Sequence, residues 1–175
     1  MHSSSRLIVR TALFLALTIL LPIAFHQFGL GGRLFLPMHL PVLLAGFICG
    51  PVGGLLVGLT APVISFLTTS MPPAYAVPLM SIELPIYGLF AGLAYYKMHM
   101  NVYVALVVSM IAGRLSFAAA LLVLGTFIDL PYGVGDYFRA VIITGLPGII
   151  IQLIFIPPIV AALMRPRQVA GLPGA

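Results

Sequence analysis

Three ionisable side chains, His39, Glu83 and Arg114, stand inside stretches otherwise apolar enough to cross a lipid bilayer. A charge at the bilayer centre costs about 2.5 to 3.5 kcal/mol even on the translocon scale, so such groups are kept where they face partners, water or a ligand. Arg114 offers a planar, permanently charged fork suited to an anionic or carbonyl-bearing ligand, and Glu83 can orient that fork or accept a ligand hydroxyl. The same two residues also suit a buried ion pair that only ties one span to the next. His39 can hydrogen-bond a ligand, or can satisfy itself on a backbone carbonyl freed near a helix terminus. Each of these roles is open on the residues alone.

Other polar groups fall near these three. Tyr87, one helical turn beyond Glu83, shares its face and can offer a hydroxyl to the same space. The stretch Thr68-Thr69-Ser70-Met71-Pro72-Pro73-Ala74-Tyr75 combines hydroxyls, a proline pair and an aromatic, so Thr69, Ser70 and Tyr75 are candidates for a pocket edge or lid, against a plain connector. The absence of tryptophan speaks against a pocket built to stack a flat aromatic ligand. Haem ligation by His39 with His26 lacks a second axial ligand fixed at equal depth on a facing helix. No cluster of His and carboxylates suits a metal, and no Gly-x-Ser-x-Gly elbow, paired aspartates or nucleotide loop is present. The sequence therefore predicts no enzyme and no cofactor bound by this chain, so that a partner or an ion gradient must drive any active transport.

The elements that must position these residues follow from composition. Of 175 residues, 62% are hydrophobic and 6% charged, against roughly 25% charged in a soluble domain. With a mean hydropathy of +1.21 this is an integral membrane protein. At about 20 residues per span the chain has room for six, giving an all-α membrane protein, a compact bundle of six transmembrane helices in a single domain over 1–175, with flexible tails at 1–5 and 166–175. The net charge of +5 reflects basic residues flanking apolar segments, which fits topology rather than nucleic acid. Cys49 is the only cysteine, so there is no disulfide framework. The opening Arg6 to Phe25 has the charge order of a signal peptide, but no small-residue cleavage site follows and it is expected as an uncleaved first span.

The expected spans are Leu7 to Phe25, Leu34 to Cys49, Val52 to Leu67, Val77 to Tyr96, Val102 to Phe127 and Phe138 to Met164. Alternation puts Arg6, Arg10, Lys97, Arg165 and Arg167 on one side, against Arg33 and Arg139 on the other, so both termini are expected in the cytoplasm. The connectors at 26–33, 68–76 and 128–137, with Asp129 and Asp136, then face outward. Spans two and three are short and broken by Gly50-Pro51, and a re-entrant hairpin there is the alternative that would reverse the later connectors. From helical rise, His39 and Glu83 lie roughly 8 to 9 Å below the outer surface and Arg114 roughly 15 to 20 Å.

Glycines 46, 50, 54 and 58 form small-xxx-small steps that let helix backbones approach closely. An echo links His39-Leu40-Pro41, Glu83-Leu84-Pro85 and Gly145-Leu146-Pro147, each placed one or two turns into a helix entering from outside. Proline removes a backbone donor, and broken backbone in a membrane is tolerated where it is buried in protein or lines a cavity. A cavity near the outer face is expected.

The block from Leu36-Pro37-Met38-His39-Leu40-Pro41 through Gly46, then Gly50-Pro51, Gly53-Gly54, Ser70-Met71-Pro72-Pro73, Glu83-Leu84-Pro85-Ile86-Tyr87-Gly88 and Ala112-Gly113-Arg114 resembles substrate-binding S-components of energy-coupling-factor (ECF) vitamin transporters, over roughly residues 6–160. Within them it looks most like the pantothenate-type branch. The resemblance implies a bundle in the cell membrane that captures a vitamin from outside. It also implies docking on two cytoplasmic ATPase subunits and a transmembrane coupling protein, ATP being used by those partners. The family's docking face on the first helix is matched by Ala12 and Ala16, a pair that can equally pack inside the bundle. It implies a cycle in which the S-component topples in the membrane. Pantothenate is the first expectation for the cargo, with folate, riboflavin or a pyridoxine-like compound as alternatives. From another class, a membrane scaffold would use Glu83 and Arg114 only to lock helices. A carrier working alone would want inverted repeats, whereas the echo links parallel helices.

Overall fold

The computed structural model describes residues 2–27, 36–128, 130–131 and 133–164, and its regular elements are all helical. They are α1 (His2–Gln27), α2 (His39–Thr69), α3 (Ala76–Tyr96), α4 (Val102–Leu124) and α5 (Val134–Met164). Among the described residues, five helices are long and apolar enough to cross a membrane. Arg33, Asp129, Arg165 and Arg167, residues 28–33 of the expected connector at 26–33, the tail at 166–175 and Met1 lie outside the described residues, as does the side chain of His26.

The expected second and third spans are one helical element bent at Gly50. There the backbone takes φ 81° and ψ 178°, a conformation that glycine adopts freely and a residue with a Cβ does not. Pro51 then opens the next arm, where its fixed φ suits a first helical turn and its missing N–H is not needed. Residues 46 and 54 would be about 12 Å apart along a straight helix, yet their backbones touch. The chain thus doubles back, and arms 39–49 and 51–69 lie side by side.

This tight bend works because the small-residue steps are packing surfaces. A Cβ on Gly46 or Gly54 would run into the Gly88 carbonyl of α3, and one on Gly88 into the backbone of Gly54. Gly58 meets α3 in the same way at Leu84 and Pro85. Without a hydrophobic force between helices in lipid, such backbone approach is what holds α2 on α3. At the far end of that seam the Tyr96 hydroxyl donates to the Phe47 carbonyl at 2.6 Å, and the rings of Tyr95 and Phe47 meet edge to face.

α1 lies against α2 through a narrow stripe, Phe14, Thr18 and Pro22, which are buried at i, i+4, i+8 spacing. Ala12 and Ala16 are on the opposite side and are exposed, so the pair does not pack inside the bundle. α4 starts at a capped turn in which Asn101 accepts from the Val104 N–H at 2.9 Å. α5 begins at Val134, four residues before the expected start, because Asp136 in its first turn suits the positive end of a helix dipole. Tyr137, expected in a connector, is therefore inside a helix, and Gly145-Leu146-Pro147 sits three turns in rather than one or two.

The outer faces are apolar, with Leu13, Leu67, Leu122, Ile143, Ile150 and Phe155 all exposed, as a lipid-facing surface requires. Inside, a main core runs from Val42 and Leu43 through Tyr87 to Ile156. A smaller one gathers Leu79, Phe117, Ala120 and Leu121 beneath Tyr137 and Val141 of α5. Between the two cores is a cavity.

Candidate functional site

The cavity encloses about 520 Å³ and opens at one end of the bundle, among the finish of α1, the start and finish of α2, the connector to α3 and the first half of α5. Its wall is largely apolar, from Pro22, Met38, Leu79 and Phe117, with the ionisable side chains at its buried inner end. The turns at Gly50-Pro51 and Lys97 belong to the opposite end of the bundle, as do Arg6 and Arg10.

Three helices bring the charged groups together there. Arg114 Nη1 of α4 donates to Glu83 Oε1 of α3 at 2.9 Å, and His39 Nε2 at the head of α2 lies 3.7 Å from the same oxygen. The second distance is too long for a hydrogen bond. Both ring nitrogens of His39 are buried without a hydrogen-bond partner among the described residues, as is Arg114 Nη2. One ring nitrogen of a histidine always carries a hydrogen, so this end of the cavity holds buried donors that are not spent. The expectation that His39 satisfies itself on a freed carbonyl is not what the geometry shows.

Exposure separates the three. The side chain of Arg114 retains 17% of its surface, against 4% for His39 and 3% for Glu83. Glu83 and Arg114 both line the cavity, and Arg114 is the one of the pair that keeps more exposed surface. Arg114 is placed by Gly113 beside it, whose missing side chain admits the edge of the Tyr87 ring. Tyr87 does not line the cavity. It is fully buried behind it, edge to face with His39 at a ring separation of 5.1 Å and within electrostatic reach of Glu83 and Arg114.

Of the connector residues, Tyr75 lines the cavity and stacks edge to face on Tyr137 of α5 at 6.0 Å. Thr69 and Ser70 do not line it. The Thr69 hydroxyl donates to the Ser65 carbonyl at 2.7 Å and accepts from the Met71 N–H at 3.3 Å, and Ser70 ends α2 in the left-handed region with φ 57°. They shape the turn that carries Met71, Pro72 and Pro73 to the cavity wall. Ser65, Tyr137 and Thr144 line it and were missed from sequence. The signal for Ser65 and Thr144 is a lone hydroxyl in an apolar run. Tyr137 offered none while it stood in a connector.

No group of three or more metal-ligating side chains occurs among the described residues. What the site can do chemically is bind: an oxygen acceptor brought to its inner end would meet donors that find no partner among the described residues. A buried unpaired donor costs about 1 to 3 kcal/mol, more when charged, and that cost is relieved when an acceptor arrives. The donors are covered, so small side-chain adjustments of the kind common on binding would accompany it.

The sequence model of one family, described as ECF transporter, substrate-specific component, matches residues 6–164. No curated protein and no solved structure matches the chain.

Proposed function

From the premise that the chain belongs to the substrate-specific component family of ECF transporters, we propose that it captures pantothenate on the outer side of the cell membrane and delivers it through an ECF module. The family and five apolar helices make it a multi-pass membrane protein. Uptake of a substrate together with an ECF module, its ATPases and its coupling protein is what that family does.

The observation that carries the proposal is the pairing of a small, mostly apolar cavity with one partly exposed guanidinium and unspent donors at its inner end. Its volume falls in the usual range of small-molecule sites, about 300 to 1,000 Å³. Pantothenate brings one carboxylate for Arg114, a gem-dimethyl group and two methylenes for the wall, and hydroxyls that suit Ser65, Tyr75 and Thr144. Arg6, Arg10 and Lys97 stand at the other end of the bundle, which supports an outward-facing cavity under the positive-inside rule. With the arms 39–49 and 51–69 counted separately, six helices return both termini to the cytoplasm.

In this proposal Ala12 and Ala16, exposed on α1, are where the coupling protein approaches. ATP is hydrolysed by the two partner ATPases, and this chain is neither an enzyme nor a holder of a cofactor. The test is uptake into vesicles that carry this chain with its coupling protein and ATPases. Accumulation of labelled pantothenate should require internal ATP and this chain. Uptake of a different vitamin would move the cargo, and none at all would remove the transport role.

A further inference from the structure

α5 meets the charged group at a single glycine. A Cβ on Gly145 would stand 2.9 Å from Arg114 Nη2, closer than side-chain carbons come to other atoms, and 3.4 Å from Leu36. Gly145 is buried, and Thr144 beside it lines the cavity. The guanidinium is therefore confined from two sides, by Glu83 on Nη1 and by the α5 backbone beside Nη2. Only the first is a hydrogen bond, so the second is set by shape.

A helix by itself prefers alanine to glycine in its interior, so local propensity gives no reason for Gly145. Glu83 is too buried to follow a displaced guanidinium. A methyl group at 145 would therefore displace the guanidinium, the mobile end of a long side chain, from its alignment with Glu83.

We propose that Gly145 is a positioning residue for ligand binding: its missing side chain is the notch that receives Arg114 Nη2 and fixes the angle at which the fork faces the cavity. The inference rests on the capture function above. Specificity for the ligand's acceptor group then depends on α5 as well as on α3 and α4, and α5 acts on the guanidinium through a residue that offers no polar atom of its own side chain.

The test compares four purified proteins, the wild type, G145A, R114K and the double variant, by affinity for the vitamin the wild type binds and by thermal midpoint in detergent. Lysine keeps a cation but has no Nη2 to meet the added methyl. In the Arg114 protein G145A should weaken binding about ten- to hundredfold, the scale of overpacking a tight site. In the R114K background it should change affinity less than about threefold, the non-additivity of residues in contact. Equal losses in both backgrounds, or no loss in either, would overturn the proposal and leave Gly145 a packing residue. Should R114K bind too weakly to measure, the midpoints carry the same comparison: G145A lowers the midpoint in the Arg114 protein alone, and equal drops overturn it. A wild type that binds no vitamin would remove the capture function, while the midpoints still decide the coupling of Gly145 to Arg114.

Discussion

Glu83 and Arg114 meet across α3 and α4 at 2.9 Å, and the partner that keeps more surface is the arginine. That asymmetry assigns the two different work. Both border the cavity, the carboxylate almost wholly covered and the guanidinium partly open to it.

Removing the carboxylate should therefore damage the fold. Glu83→Ala leaves a guanidinium buried without its counter-ion, and breaking such a pair costs about 3 to 5 kcal/mol. Thermal melting in detergent should show a large loss of stability for Glu83→Ala. A variant that melts with the wild type would mean the pair contributes nothing to the bundle.

Tyr87 should act through its ring. Buried behind His39 and against Gly113, it supports the site without lining it. Tyr87→Ala removes a fully buried aromatic and should destabilise by about 3 to 5 kcal/mol. Tyr87→Phe keeps the ring, gives up only the contact of the hydroxyl with Arg114, and should cost about 0.5 to 1.5 kcal/mol, the scale of one net hydrogen bond. Equal damage from both would place its function in the hydroxyl.

Where α2 crosses α3, backbone meets backbone, and nothing there can give way to a side chain. Gly54→Leu and Gly88→Leu should each prevent recovery of monodisperse protein, whereas Gly135→Ala, with open space around it, should be neutral. Normal yields of the first two would show that the helices do not approach as described.

On α1 the expected separation is between binding and transport. Ala12→Leu with Ala16→Leu adds bulk to an exposed face far from the cavity wall. Ligand affinity should stay within about twofold, since surface substitutions away from a site change free energies by roughly 0.5 kcal/mol or less. Co-purification with the coupling protein should be lost. Retained assembly would move the docking face elsewhere.

Much of this arrangement was legible in the chain, for reasons specific to each residue. Gly50-Pro51 announced a bend because few other pairs permit one, and Glu83 and Arg114 stood out because charge is costly in lipid. What stayed hidden was rotation about helix axes. Helices apolar on all sides give no amphipathic signal, so sequence could not say that Tyr87 points behind the site while Ser65 and Thr144 point into it. The early start of α5 was hidden by Gly133, Gly135 and Asp136, which read as a connector and proved to border or open a helix. Thr69 and Ser70, expected at the pocket edge, do not line the cavity, because their hydroxyl and backbone bonds belong to the end of α2.

The most direct test of the account is equilibrium binding by the purified chain, titrating pantothenate beside folate, riboflavin, pyridoxine and other vitamins, with the Glu83→Gln, Arg114→Gln double variant, which strands neither charge, in parallel. The account predicts saturable binding of pantothenate in preference to the rest, lost in a double variant that still purifies as a folded monodisperse species. Absence of binding across the panel by well-folded wild type, or undiminished binding by the double variant, would contradict it.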